Sequence, residues 1–156
     1  MKHFCQYDSP VGRLFLGEEN GFLSLLVFSA DDPRLQQYVQ KTTPILSDAK
    51  KELDEYFAGK RRTFEIPLKV QGTEFQERVW RELQKISYGK TCTYKDIAAR
   101  VDCPRGSRAV GLANNRNPIS IFIPCHRVIS GNGKLTGYAG GLDAKRYLLE
   151  LEQKNA

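Results

Sequence analysis

The chain has 156 residues, of which 40% are hydrophobic and 10% aromatic, so it can build one ordinary domain or two small ones and is not an intrinsically disordered polymer. No stretch approaches the roughly 18 apolar residues of a membrane-spanning helix. The first residues, up to Cys5, lack the apolar segment of a secretory signal. We therefore expect a soluble cytoplasmic protein, or a nuclear one in a eukaryote, with no membrane partner.

The net charge of +6 is carried by one half of the chain. Residues 1–70 hold 10 basic and 10 acidic side chains, whereas residues 71–156 hold 14 and 8. A basic surface on one half favours binding to a polyanion such as nucleic acid. A solvated surface without a partner has the same composition, so charge alone leaves both alternatives open.

The cysteines show neither a disulfide framework nor a metal site. The four of them form no Cys-x-x-Cys pair, and without a secretion signal we expect reduced thiols. His3 and Cys5 are the only soft ligands in the first 90 residues, whereas a structural zinc site usually takes four ligands. We therefore expect no bound metal.

Residues 1–70 are predicted to form an α/β domain with a small antiparallel sheet and a helix. Apolar runs separated by turn residues predict two or three short antiparallel strands over 1–30. A helix over 46–57, with Ser47 as a candidate cap and Gly59 as its end, is predicted from helical spacing of Ile45, Ala49, Leu53 and either Tyr56 or Phe57. Residues 64–70 are predicted to form another extended run. We recognise no chemistry in this half and interpret it as a support domain.

The composition changes at Gln71, and residues 71–156 are predicted to form a second, mainly helical domain. The first helix should end at residues 88–89 and place Trp80 in the core, and the second should end at Val101. Both helix starts are marked by capping boxes: Thr73 with Gln76, and Thr93 with Asp96.

A third helix is predicted over 108–116, capped by Ser107 and terminated by Asn117-Pro118. Two short helices joined by a tight turn are typical of a helix-turn-helix. On a helical wheel one face holds Ala109, Val110 and Ala113. The other face is polar and low in profile, which suits close approach to nucleic acid, and consists of Ser107, Arg108, Gly111 and Asn115. Alternatively, Gly111 merely permits contact between helices.

An apolar run over 119–123 leads into Pro124-Cys125-His126-Arg127-Val128. Buried cysteines are usually inert, and a nucleophilic one needs a stabilised thiolate, commonly through an imidazole that a carboxylate orients. In an extended chain Cys125 and His126 would point in opposite directions, so a bend after Pro124 or a bridging water is required. Glu150 and Glu152, in a final helix predicted over 143–152, are both candidate carboxylates, and residue chemistry does not choose between them.

The segment 124–128 resembles the active-site motif of the alkylguanine-DNA alkyltransferases, also called methylated-DNA–protein-cysteine methyltransferases. The similarity continues through residues 108–111, 117–118 and 137–142, and it is dense over 72–152. The resemblance implies an N-terminal α/β domain similar to ribonuclease H in fold and a C-terminal winged helix-turn-helix.

The resemblance also implies DNA repair by direct damage reversal. An alkyl group would move from O6-alkylguanine, and from O4-alkylthymine, to Cys125, so that each molecule acts once and needs no cofactor. The protein would bind double-stranded DNA as a monomer, with its third helix in the minor groove and the damaged nucleotide rotated out of the stack.

The resemblance to this family also implies roles for individual residues of the reaction centre. Glu152 would orient His126, which would take the Cys125 proton through a water. Asn117 would brace the active-site turn, and the phenol of Tyr94 would protonate the leaving guanine.

The same resemblance assigns contacts to the DNA and the base. Tyr94 would crowd the 3′ phosphate, and Arg108 would fill the space that the rotated base vacates. The backbone of Cys125 and Val128 would accept hydrogen bonds from the guanine amino group. The pocket would also include Tyr138 and Ala139. Two positions depart from the pattern of vertebrate members, which have serine at Ala139 and often proline at Ser120.

Three alternatives remain at this point. Alkyltransferase-like proteins bind lesions without repairing them, but they lack the cysteine that this chain has at position 125. A winged-helix transcription factor would use the Cys-His motif only structurally, and a thiol hydrolase would turn over repeatedly.

Overall fold

The computed structural model describes all 156 residues, which divide into two compact units, Met1–Val70 and Gln71–Ala156. None of the helices combines the length and the apolar character that crossing a bilayer requires.

The first unit is built on a four-stranded sheet with the strand order β3-β2-β1-β4. The predicted antiparallel strands are confirmed for the first three, and tight turns at Gly12 and Gly21, both with positive φ, connect them. The sheet is nevertheless mixed, because a short fourth strand pairs in parallel with the first. The strands are β1 (Lys2–Ser9), β2 (Gly12–Glu19), β3 (Phe22–Val27) and β4 (Val39–Gln40).

Helix α1 (Pro44–Phe57) packs on this sheet and buries Leu46, Ala49, Leu53 and Tyr56. It begins two residues before the predicted start, because Pro44 in its first turn already has a helical φ. The prediction that Ser47 caps the helix was wrong, since Ser47 lies inside it and Thr43 is the cap residue, without a side-chain bond. Gly59, with φ of 75°, follows the helix end as expected.

The extended run predicted over 64–70 does not form a regular strand. Only Leu68 forms a bridge, to Leu23, which receives a hydrogen bond from Lys69 and donates one to Pro67. Because Pro67 has no backbone N–H, the segment cannot continue as a regular ladder. Two further amides of the segment, at residues 65 and 66, donate to the carboxylate of Glu52 instead.

The second unit is helical and contains α2 (Glu74–Leu83), α3 (Tyr94–Arg100), α4 (Ser107–Asn115) and α5 (Leu142–Asn155). Both predicted capping boxes are present, at Thr73 and Thr93. Trp80 is core as predicted, and its indole N–H donates to the Ala113 carbonyl over 2.9 Å. Strand β5 (Cys92–Thr93) pairs in parallel with β6 (Val128–Ile129), which ties the start of α3 to the end of the Cys-His motif.

Several predicted boundaries in this unit need correction. Helix α2 ends at Leu83 rather than near residue 88, and α5 extends beyond both predicted ends. Ser107 does not cap α4, because it is already helical and Gly106 is the cap residue. A side chain at Gly106 would collide with Cys103, whose carbonyl accepts the Gly106 N–H over 2.7 Å. This close turn sets the start of α4.

The two faces of α4 are close to those predicted. Arg108 and Asn115 are exposed, while Val110 and Ala113 are buried. Ala109 is also exposed, so its assignment to the inner face was wrong, and the buried face instead includes Asn114.

Candidate active site

The apolar run before the cysteine is a compact turn and not a strand. Ile121 has φ of 74°, a left-handed conformation that is strained for a β-branched residue, and the Ile123 amide donates back to Ile119 over 2.9 Å. The 3₁₀ turn Cys125–Arg127 follows directly. Successive side chains in such a turn are about 120° apart rather than opposed. The bend expected after Pro124 is therefore present.

Two asparagines, Asn114 in the last turn of α4 and Asn117 just after this helix, form hydrogen bonds to the backbone of this segment. Asn117 donates from Nδ2 to the Ile123 carbonyl over 2.8 Å, and its Oδ1 accepts the Ile119 amide over 3.0 Å. Asn114 donates to the Cys125 carbonyl over 3.3 Å. The peptide is thus fixed on both sides of Pro124.

His126 is fully buried and bonded to a carboxylate of α5. Its Nε2 lies 2.6 Å from Oε2 of Glu152, whereas Glu150 is exposed. Arg127 donates from Nε and an Nη to the same carboxylate over 2.7 and 3.0 Å, and from its other Nη to the Ile86 carbonyl. The structure therefore brings together His126 and Glu152, and it adds Arg127 to them.

Electrostatics assign the protonation states of this group. Burial alone would raise the pKa of Glu152, but the hydrogen bonds of His126 and Arg127 and the positive charge of Arg127 lower it to about 2, so the carboxylate is ionised. Burial lowers the pKa of His126 more than Glu152 raises it, which favours the neutral imidazole. An ionised Glu152 requires a proton on Nε2, so Nδ1 carries the lone pair. Nδ1 is buried and has no hydrogen-bond partner within the protein.

Cys125 is almost completely buried, with its Sγ 4.0 Å from the hydroxyl oxygen of Ser120. Burial raises the pKa of the Cys125 thiol, an effect opposed by hydrogen bonding with Asn117 and Ser120 and by the charge of Lys145. The resting group is therefore a thiol that needs a base before it can act as a nucleophile. The neutral His126 is such a base.

The remaining predicted residues lie in two places. The Tyr138 ring stands edge-on to His126, with centroids 6.5 Å apart, and burial together with the charges of Cys125 and Glu152 raises its pKa far above the ordinary value. Ala139 beside it is exposed.

Tyr94 lies at the start of α3, next to α4. A side chain at Gly111 would come within 3.9 Å of the Tyr94 ring, and the Tyr94 hydroxyl lies 3.2 Å from Oγ1 of Thr136. Ser107 and Gly111 are half-buried, whereas Arg108 and Asn115 are exposed. The structure therefore places Tyr94 beside the predicted nucleic-acid-facing side of α4.

Sequence reasoning missed Asn114 and Lys145, and it named Arg127 in the motif without giving it a role. Lys145 is fully buried, and its ammonium donates to the carbonyls of Val128 over 2.7 Å and Thr136 over 2.8 Å. One signal was available, because Lys145 precedes Glu152 by seven residues and hence shares its helix face. A lysine on the inward face of a helix is rarely fully buried without a specific reason.

A helix-turn-helix unit that carries a buried cysteine beside a His-Glu pair defines a nucleic-acid-binding protein with a cysteine nucleophile. Two family models match the chain: the ribonuclease-like domain of 6-O-methylguanine DNA methyltransferase over residues 3–70, and its DNA binding domain over 74–154. The chain belongs to this family, the methylated-DNA–protein-cysteine methyltransferases.

Relatives match over nearly their whole length. The constitutive methylated-DNA–protein-cysteine methyltransferase of Bacillus subtilis is 45% identical, with 98% of this chain and 96% of the relative covered. That of Methanosarcina acetivorans is 46% identical, with 96% and 97% covered. The crystal structure of Mycobacterium tuberculosis O6-methylguanine methyltransferase superposes with a TM-score of 0.93 at 44% identity, covering 100% of this chain and 95% of that one. A complex of M. tuberculosis OGT with DNA gives 0.91, covering 99% and 94%.

Proposed function

We propose that this protein repairs DNA by direct damage reversal, transferring the alkyl group of O6-alkylguanine irreversibly to Cys125. The observation that carries the proposal is the buried Cys125 beside the His126–Glu152 pair, on a helix-turn-helix unit. The relatives named as methylated-DNA–protein-cysteine methyltransferases support the same activity. They argue against a lesion-binding protein or a transcription factor without transfer activity.

Proton removal is the first step. Nδ1 of His126 takes the Cys125 proton, through a water, while Glu152 stays ionised and stabilises the imidazolium that forms. Asn117 braces the turn that presents the sulfur.

Transfer is an in-line displacement at the alkyl carbon. A bond forms between Sγ of Cys125 and this carbon, the bond from the carbon to O6 breaks, and the electron pair stays on O6. The leaving guanine takes a proton from the Tyr94 phenol. The product is a thioether, and because the mechanism supplies no second nucleophile to cleave it, each molecule acts once without a cofactor. O4-alkylthymine presents the same kind of carbon and is proposed as a second substrate.

Double-stranded DNA is bound by the exposed side of α4 in the minor groove, with the damaged nucleotide rotated out of the stack and the protein acting as a monomer. Arg108 fills the vacated space, and the low profile of Gly111 lets the backbone approach closely. Ser107 and Asn115 complete this DNA-facing side together with Tyr94.

The rotated base enters the pocket beside the sulfur, with Tyr138 and Ala139 on one side. The carbonyls of Cys125 and Val128 accept from the guanine amino group. These carbonyls already accept hydrogen bonds from Asn114 and Lys145, which fix their orientation before the base binds.

One experiment tests the function. Mixing excess duplex DNA containing labelled O6-methylguanine with the protein should move one methyl group per molecule to the peptide that contains Cys125, as read by mass spectrometry. Cys125→Ser should abolish transfer yet bind DNA, because α3 and α4 are untouched. Turnover beyond one equivalent would identify a hydrolase, and binding without transfer by the unaltered protein would overturn the proposal.

A further inference from the structure

Lys145 is a lysine with 0% of its surface exposed and no carboxylate partner. Its ammonium donates to two backbone carbonyls, those of Val128 and Thr136, and enters none of the ion pairs of the molecule. Burial lowers the pKa of Lys145, and a negative charge on Cys125 opposes that effect. Val128 directly follows the Cys125–Arg127 turn, so the hydrogen bond to its carbonyl brings an unneutralised buried cation to the end of the turn that carries the sulfur.

Burying an ammonium group in this way is costly. Carbonyl dipoles replace only part of the lost hydration, and an apolar side chain of similar length would fill the same space without that cost. Arg127, the other buried cation of the site, is different because two of its hydrogen bonds go to Glu152. Lys145 is thus the cation near the sulfur whose charge no carboxylate cancels.

We propose that Lys145 is the counter-ion of the Cys125 thiolate, which complements His126: the imidazole removes the proton and the ammonium stabilises the sulfur anion that remains. The inference rests on the proposed function, since it assigns a role within the same site. Lys145 acts on the sulfur by charge and is a positioning residue for the 128–136 segment, whose two ends it holds.

The groups that face Cys125 come from every element around it. The 3₁₀ turn contributes His126 and Arg127, and the glycine-rich loop contributes Tyr138. Helix α5 contributes Lys145, and the Glu152 carboxylate of the same helix lies behind His126 and Arg127, to which it is hydrogen-bonded. Removing the positive charge of Lys145 leaves the negative charge of Glu152 in place, so thiolate formation becomes harder and requires a higher pH.

The test compares transfer from a soluble free base, O6-benzylguanine, across a pH series. Lys145→Gln keeps N–H donors for the two carbonyls but removes the charge, and Lys145→Arg keeps the charge. Lys154→Met, an exposed position on the same helix, is the matched control. We expect Lys145→Gln to move the pH of half-maximal rate upward by about one unit or more, so that transfer is roughly tenfold slower at neutral pH and recovers in alkali. Lys145→Arg should restore most of the original profile, and Lys154→Met should match the parent.

A slowing of Lys145→Gln that is equal at every pH would mean that Lys145 is only structural and would overturn the proposal. A second measurement needs no substrate: the ultraviolet absorbance of the thiolate, taken as the difference between each protein and its Cys125→Ser counterpart. The Cys125 thiol should ionise at higher pH in Lys145→Gln than in the parent, and ionisation at the same pH would also overturn the assignment. If the parent transfers no alkyl group while this shift is observed, the proposed function fails and the counter-ion role stands.

Discussion

Glutamates are buried in both units, and a comparison of Glu52 in the first unit with Glu152 in the second separates structural from chemical use of the same side chain. In the first unit Glu52 accepts the amides of Glu65 and Ile66 and pairs with Arg61 over 3.5 Å, which fastens a loop to α1. In the second unit Glu152 holds the titratable side chain of His126. A carboxylate that satisfies backbone amides supports the fold, whereas one that sets the tautomer of a neutral imidazole prepares a base.

The side chains buried around the two carboxylates also differ, being mainly apolar in the first unit and charged or titratable in the second. The strands and α1 of the first unit bury mainly apolar side chains, with Tyr7 and Asp54 bonded to each other at a partly buried position. The second unit buries His126, Arg127, Lys145 and Glu152 within one group. Because buried charges are a poor route to stability, their concentration marks the unit that carries the chemistry.

We expect the largest effect on the transfer rate in a comparison of two variants, in which the buried glutamates Glu152 and Glu52 are each replaced by glutamine. Glu152→Gln places an amide beside His126 and favours the wrong imidazole tautomer, so transfer to Cys125 should fall by about a hundredfold or more. Glu52→Gln, the matched variant, should lower the thermal stability and leave the transfer rate unchanged. Rates on free O6-benzylguanine measure this without any contribution from DNA binding. An unaltered rate in Glu152→Gln would remove the His-Glu pair from the mechanism.

Acid stability should also depend on Glu152. Its pKa of about 2 in the folded chain lies below the ordinary value of 4.5, so the ionised group stabilises the fold above pH 4.5, and this contribution is lost as the pH falls towards 2. The free energy of unfolding should drop by roughly 3 kcal/mol over that range from this group alone. Urea denaturation at a series of pH values measures it, and the step should be missing in Glu152→Gln. A step of the same size in that variant would assign the acid sensitivity to other carboxyl groups.

A smaller effect should distinguish the DNA-facing side of α4 from the reaction centre. Arg108→Ala removes the group proposed to fill the space of the rotated base, whose unstacking costs a few kcal/mol in a paired duplex and little in a free base. The saturated transfer rate should therefore fall about ten- to a hundredfold on duplex DNA and stay nearly constant on free O6-benzylguanine. If Arg108 were only a phosphate contact, excess protein would overcome the loss. Equal slowing on both substrates would assign Arg108 a structural role.

Local features were predictable because their partners are neighbours in the chain. The capping boxes at Thr73 and Thr93 each join residues three positions apart, so a short window of sequence contains the whole interaction. The nucleophile motif at Cys125 and the basic excess of residues 71–156 are equally visible in the sequence. Together they determined the class of fold, the family and the reaction.

Contacts between distant residues were decided only by the tertiary structure. Residue chemistry left Glu150 and Glu152 open and the family resemblance selected Glu152, but the physical reason is the face of α5 that packs against the Cys125–Arg127 turn, 25 residues or more away. The same packing buries Lys145, a side chain that local patterning would leave in solvent.

The errors have the same origin. Ser107 is a favourable cap by residue type, yet the close approach of Gly106 to Cys103 starts α4 one residue earlier. The conformation of the apolar run over 119–123, for which no element was predicted, is set in the same way, because Asn117 bonds both its ends and folds it into the turn that presents Cys125. Residue type and spacing specify what a segment can form, whereas the partners that reach its backbone from other elements select which of those forms is stable.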